Sequence, residues 1–144
     1  MVLSMLFGCG ANCMPVIAAI EGVALDGCLQ VALDADFRFA SPASKFSILE
    51  LKWGIIPDMS STQIMRHLVR DDIIRELTYT AWVFDAEQAL RWGFISSIHD
   101  EPVAHALKVA QEIVLRNPHA VRSTKHVIEQ SYYLDQARQP KYKD

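Results

Sequence analysis

One stretch, Pro15 to Gln63, limits what this chain can fold into more than any other. It opens on a short apolar run, Pro15-Val16-Ile17-Ala18-Ala19-Ile20. A few apolar residues bounded by turn formers suit a buried strand better than a helix. Gly22 to Gly27 then reads as a tight turn, and a helix is expected near 27–34. Gly27 suits a sharp turn and a close approach of ligand to the backbone. A helix starting there points unpaired N–H groups, at the positive end of its dipole, toward whatever lies above the strand. That is a place for developing negative charge. Asp36 to Ala40 alternates like a second strand, Ser41-Pro42-Ala43-Ser44 is a turn, and Lys45 to Leu49 reads as a third strand. Gly54 to Asp58 follows as loop, so Glu50 and Asp58 are two carboxylates among apolar neighbours.

Helices dominate the rest. Ser60 with Gln63 has the spacing of a capping box, before a helix expected to bury Ile64, Met65, Leu68 and Val69. Asp71 and Asp72 open another, with Ile73, Ile74 and Leu77 on one side. Asp85 and Gln88 repeat the capping signature, and Gly93 stops that helix. Phe94 to Ile98 reads as a short strand. Pro102 suits the first turn of a helix burying Val103, Ala106, Leu107, Ala110, Ile113 and Val114. Asn117-Pro118 breaks it, and a last helix is expected over 119–134. Residues 1–14 have no clear period. The order is mixed α/β first and helices afterwards, without internal repeats.

Composition excludes several classes. With 51% hydrophobic and 22% charged residues the chain reads as an ordinary globular protein. A net charge of -3 gives no reason to expect nucleic acid as a partner. The three cysteines, Cys9, Cys13 and Cys28, lack zinc spacing, and the five histidines contain no H-E-x-x-H, so no metal is expected. An odd, sparse cysteine count fits a reducing compartment. The apolar opening lacks the basic segment of an export signal, and no run approaches the roughly 18 apolar residues of a membrane span.

Four segments in one register carry a resemblance. They are Pro15–Gly27, Ala35–Ala40, Glu50–Asp58 with Thr62-Gln63, and Phe84–Ile95. Together they resemble the crotonase (enoyl-CoA hydratase/isomerase) superfamily. The resemblance implies an α/β fold: a spiral core of repeated ββα turns over residues 15–100, then a helical region, 101–144, that packs trimers or dimers of trimers. Residues 1–14 stay unassigned. It also implies an acyl-CoA thioester substrate, coenzyme A entering only as part of that substrate, no permanently bound cofactor, and a cytoplasmic or mitochondrial-matrix setting. One oxyanion-hole N–H falls on Gly27, with Leu25, Cys28 and Pro57 around the bound thioester. The acid/base positions fall on Gln30 and Glu50, and on Asp58 in the branch that moves double bonds along dienoyl chains.

Two departures stand out. Gln30 replaces a carboxylate, and an amide cannot exchange a proton near neutral pH. Asp26 and Cys28 stand where the family has small glycines, which crowds the turn. A full family member also carries an N-terminal half that residues 1–14 do not resemble. The chain is therefore expected to be a C-terminal portion, either an isomerising acyl-CoA enzyme or an inactive subunit acting only by association. Plainer readings accompany each residue: Glu50 as an exposed strand-end carboxylate, Asp58 as a loop residue before a helix, Gln30 as a polar helix residue, and Gly27 as a helix-start glycine. Lys141 and Lys143 read as a solvated tail. The histidines read as surface or capping groups, and bulk at Trp53, Met59 and Met65 as a limit on the acyl pocket.

Overall fold

A computed structural model describes the backbone of residues 2–6, 14–57 and 61–137, with side chains over 14–57 and 62–131. Two sheets alternate along the chain. Strand β2 (Ile17–Glu21) lies in the first sheet, and β3 (Val23–Leu25) in the second. Gly22, at φ +84°, makes the bend between them. Helix α1 (Gly27–Leu33) then returns the chain to β4 (Phe37–Ala40), parallel to β2, and β5 (Lys45–Ser47) runs parallel to β3. The result is one ββα turn laid beside the strands of the next. Strand β1 (Val2–Leu6) pairs antiparallel with β2, so part of the segment without a period is an edge strand.

The helical half follows in the expected order. A 3-10 helix (Glu50–Trp53) precedes α2 (Ser61–Leu68) and α3 (Asp71–Thr80). Strand β6 (Phe84–Asp85) joins β5, α4 (Ala86–Trp92) follows, and β7 (Ser97–Ile98) joins β4. Helices α5 (Pro102–Val114) and α6 (Pro118–Ala137) close the described chain. Asn117 starts α6, its Oδ1 accepting from the His119 and Ala120 amides.

The continuous apolar run before Gly22 is explained by burial on both faces of β2. Val16, Ala18 and Ile20 face the main core with Leu29, Phe46 and Phe94, while Ile17 and Ala19 face Phe39 and Ala106 of α5. Phe84 packs 5.7 Å from Phe46 and 4.9 Å from Phe94, ring centre to ring centre. Such a cluster contributes about 0.5–1.5 kcal/mol per ring pair beyond the area it buries. Arg38 is buried and donates from Nε to the Phe94 carbonyl at 2.8 Å and from a terminal nitrogen to the Ala35 carbonyl at 2.5 Å. Its cation thereby sits past the C-terminus of α1, where the helix dipole favours it.

Several expectations are corrected. Val23–Leu25 is a strand rather than turn, because its backbone pairs with β5. Ladder bonding stops at Ser47, and Glu50 begins a 3-10 helix instead of ending a strand. Phe94 and Ile95 are core residues outside any strand, and only Ser97 and Ile98 pair. Leu107 and Val114 of α5 are exposed, since the sheet covers only the stripe through Val103, Ala106, Ala110 and Ile113. Ser60, Met59 and the C-terminal lysines lie outside the described residues. The Asp85–Gln88 capping box is present in both directions, at 2.8 and 3.0 Å.

His99 and His105, read as surface groups, stack at 3.5 Å beside Phe39. Desolvation lowers the His105 pKa below the ordinary 6.5, with His99 and Lys108 adding to this and Glu112 opposing it. Below that value the unfolded chain binds more protons than the folded one, so stability falls as pH drops through the window beneath 6.5. The urea midpoint should decrease from about pH 7 to about pH 5, and His105→Phe should flatten that slope. Gly93 ends α4 at φ +94°, and a Cβ there would overlap the Leu68 carbonyl oxygen. Gly93→Ala should cost about 3 kcal/mol in urea denaturation, through strain and displacement of α2.

Candidate functional site

The site forms where α1 starts. The parallel pairing of Leu25 with Ser47 brings the end of β3 against the end of β5. Asp26 extends this pairing, donating its N–H to the Ser47 carbonyl at 3.1 Å. The first helical bond runs from the Gln30 N–H to the Asp26 carbonyl at 3.1 Å. The amides of Gly27, Cys28 and Leu29 come before it and have no helical acceptor. Asp26 offers them no side-chain cap.

Three residues beyond Ser47, Glu50 opens the 3-10 helix. Gln30 and Glu50 are 5% and 6% exposed, and the Gln30 amide donates to Glu50 Oε1. The other carboxyl oxygen, Oε2, is buried without a hydrogen-bond partner among the described residues. A buried carboxyl oxygen left unpaired costs free energy, and a ligand with a proton or donor to offer would remove that cost. Gln30 and Gly27 are three positions apart on α1, so they share a face. Gln30 therefore ties the first turn of α1, which opens at Gly27, to the Glu50 carboxyl.

The remaining predicted residues divide. Leu25 and Cys28 are half-buried beside Gly27, with Cys28 a free thiol, and Pro57 is buried. Asp58 lies outside the described residues. Glu50 is buried, which overturns the exposed reading, while Trp53 at the other end of the same 3-10 helix is 67% exposed. Met65 is buried within the main core.

The largest surprise is Asp26. The sequence suggests that Gly27 supplies conformational freedom, yet Asp26 carries the unusual backbone, with φ 49° and ψ -129°. That region is favourable only to glycine and costs a side-chain-bearing residue about 1–3 kcal/mol. Asp26 Oδ1 is also buried without a hydrogen-bond partner among the described residues. Asp in place of glycine was visible in the sequence; that the turn turns on it was not. A cavity of about 920 Å³ lies elsewhere, at the opposite end of α1, lined by Leu33, Phe37, Ile64, Ile113 and Ile128. Among the described residues no three metal-ligating side chains converge, and no helix is long and apolar enough to cross a membrane.

The sequence profile of the enoyl-CoA hydratase/isomerase family matches residues 9–143. This chain belongs to that family. It is 34% identical over 128 residues to the mitochondrial methylglutaconyl-CoA hydratase of Mus musculus, covering 85% of this chain and 41% of that protein. It is also 34% identical over 115 residues to the carnitinyl-CoA dehydratase of Citrobacter koseri, covering 78% of this chain and 44% of the relative. The chain thus spans less than half the length of these curated relatives. Among solved structures, the enoyl-CoA hydratase of Mycobacterium avium superposes with a TM-score of 0.81 at 30% identity, over 90% of this chain and 57% of that one. A Thermobifida fusca protein described as an enoyl-CoA hydratase, bound to acetoacetyl-CoA, gives a TM-score of 0.76 at 27% identity, over 87% and 48%.

Asp26→Gly should stabilise the fold by about 1 kcal/mol, strain relief exceeding the entropy cost of glycine. A lower urea midpoint in this variant would show that the Asp26 carboxyl holds the turn together.

Proposed function

We propose that this protein acts on unsaturated acyl-CoA thioesters, moving a proton at a carbon near the thioester. Support comes first from one observation: a buried Gln30–Glu50 pair, its second carboxyl oxygen without a partner among the described residues, tied through Gln30 to the first turn of α1, where the Gly27 amide has no helical acceptor. Loss of a proton beside a thioester turns the carbonyl oxygen enolate-like. Fixed N–H donors stabilise that oxygen more in the transition state than in the ground state. Gly27 supplies one such donor, with Leu25, Cys28 and Pro57 shaping its surroundings. Glu50 supplies the acid/base group.

Within that chemistry, double-bond isomerisation asks least of the site. One carboxylate lifts a proton from one carbon and returns it to another, and Asp58 would share this work. Gln30 orients Glu50 without exchanging protons. Coenzyme A enters as part of the substrate, and no resident cofactor is required for these steps. A compartment of the cell that holds acyl-CoA, the cytoplasm or the mitochondrial matrix, fits the reading.

A second reading is a catalytically inactive subunit that associates through its surfaces, as a homotrimer or a dimer of trimers. It is favoured by the exposed apolar residues Trp53 and Ile56, 67% and 77% accessible, together with Val114 and Leu115. Turnover separates the two. With a short 3-enoyl-CoA, appearance of the conjugated thioester absorbance supports the enzyme, and Glu50→Gln should lower the rate by about 10²–10⁴-fold. Absence of turnover, with no CoA-ester binding by calorimetry and a trimer by sedimentation, supports association alone.

A further inference from the structure

We infer that the Asp26–Gly27 peptide is a site of self-modification: the Gly27 main-chain nitrogen closes onto the Asp26 carboxyl to form a cyclic imide, which water opens to isoaspartate. This holds whatever the chain does with acyl-CoA, since both reacting groups belong to adjacent residues and no ligand takes part. Asp26–Gly27 is the only aspartate–glycine or asparagine–glycine step in the sequence. Glycine matters there because a side chain would crowd the attacking nitrogen.

The backbone brings the step close. The imide is a five-membered ring of Asp26 Cα, Cβ, Cγ and carbonyl carbon with Gly27 N. Such a ring is nearly flat, so Cβ and Gly27 N must lie almost eclipsed about the Cα–C bond. Tetrahedral geometry sets Cβ of an L-residue about 120° from its own nitrogen around that bond. At ψ -129°, Asp26 Cβ is therefore within about 10° of eclipsing Gly27 N. Ordinary helix or strand backbone leaves the two roughly 80–120° apart. One rotation about Cα–Cβ then carries the carboxyl carbon to the nitrogen.

This conformation is held by main-chain bonds on two sides. The Asp26 N–H donates to the Ser47 carbonyl, and the Asp26 carbonyl accepts from the Gln30 N–H, both at 3.1 Å. The Gly27 N–H heads α1 without a helical acceptor, and the Asp26 side chain does not cap the helix. Asp26 Oδ1 is buried without a hydrogen-bond partner among the described residues, a cost that an uncharged imide reduces. Asp26 as a whole is half-buried, so water can reach the ring.

The step balances as follows. The nitrogen bonds to Cγ and gives its proton to solvent, and the carboxyl hydroxyl leaves as water. Water then adds to the Asp26 main-chain carbonyl carbon and breaks its bond to Gly27 N, which leaves isoaspartate. Addition at Cγ restores aspartate instead. Isoaspartate lengthens the main chain by one carbon between β3 and α1, which shifts Gln30 against Glu50.

The test ages the full chain just below neutral pH, once folded and once unfolded in guanidinium chloride, with circular dichroism to keep the two states distinct. Peptic peptides are then read by mass. Loss of one water at Asp26–Gly27, and isoaspartate identified by backbone fragmentation, should accumulate about 10-fold faster in the folded chain. Asp26→Glu, whose ring would need six members, should show neither product in either state. Equal or slower accumulation in the folded chain overturns the inference, because folding then protects the peptide. So does water loss that persists in Asp26→Glu, which would place the reaction elsewhere.

Discussion

The parallel pairing of β3 with β5 holds the start of α1 against the segment that ends at Glu50. Everything at the site follows from it. The Asp26 N–H continues the pairing onto the Ser47 carbonyl, and one helical turn later the Gln30 side chain meets the Glu50 carboxyl. Ser47 is itself anchored from behind, its hydroxyl donating to the Trp82 carbonyl at 2.9 Å. The helix start is therefore positioned by main-chain bonds, and the Glu50 carboxyl by the Gln30 side chain that this helix carries. Such placement limits the reorganisation a reaction would require.

The same alternation between sheets explains how a short chain builds a core. Each strand of the first sheet that leads into a strand of the second closes two layers at once. The β2 run is covered by α1 and the phenylalanine cluster on one face and by α5 on the other. The end of α5 and helix α6 do less of this work. Leu115 and Val114 remain exposed at the end of α5, and α6 touches the body partly through Lys125, whose Nζ lies 2.7 Å from Asp36. Asp36 also accepts the Val16 N–H, which joins this helix to the entrance of β2.

Much of the fold was legible because its signals are local. The Asp85–Gln88 cap, the stop at Gly93, Pro102 in a first turn and the break at Asn117 each depend on a few neighbouring residues. Strands β3 and β6 were not, because two or three residues have no readable period and become strands only through distant partners. Glu50 shows the same limit in the site. Its spacing fits an exposed strand end, and only the approach of α1 buries it.

The order of elements, the helix caps and the presence of Gly27, Gln30 and Glu50 were determined by the sequence alone, since propensity and hydrophobic period act over short distances. Whether those three residues meet was decided by the tertiary structure, through a strand pairing between residues 22 apart. So was the burden on Asp26: a backbone angle and an unpaired oxygen exist only once β3, β5 and α1 have closed around it.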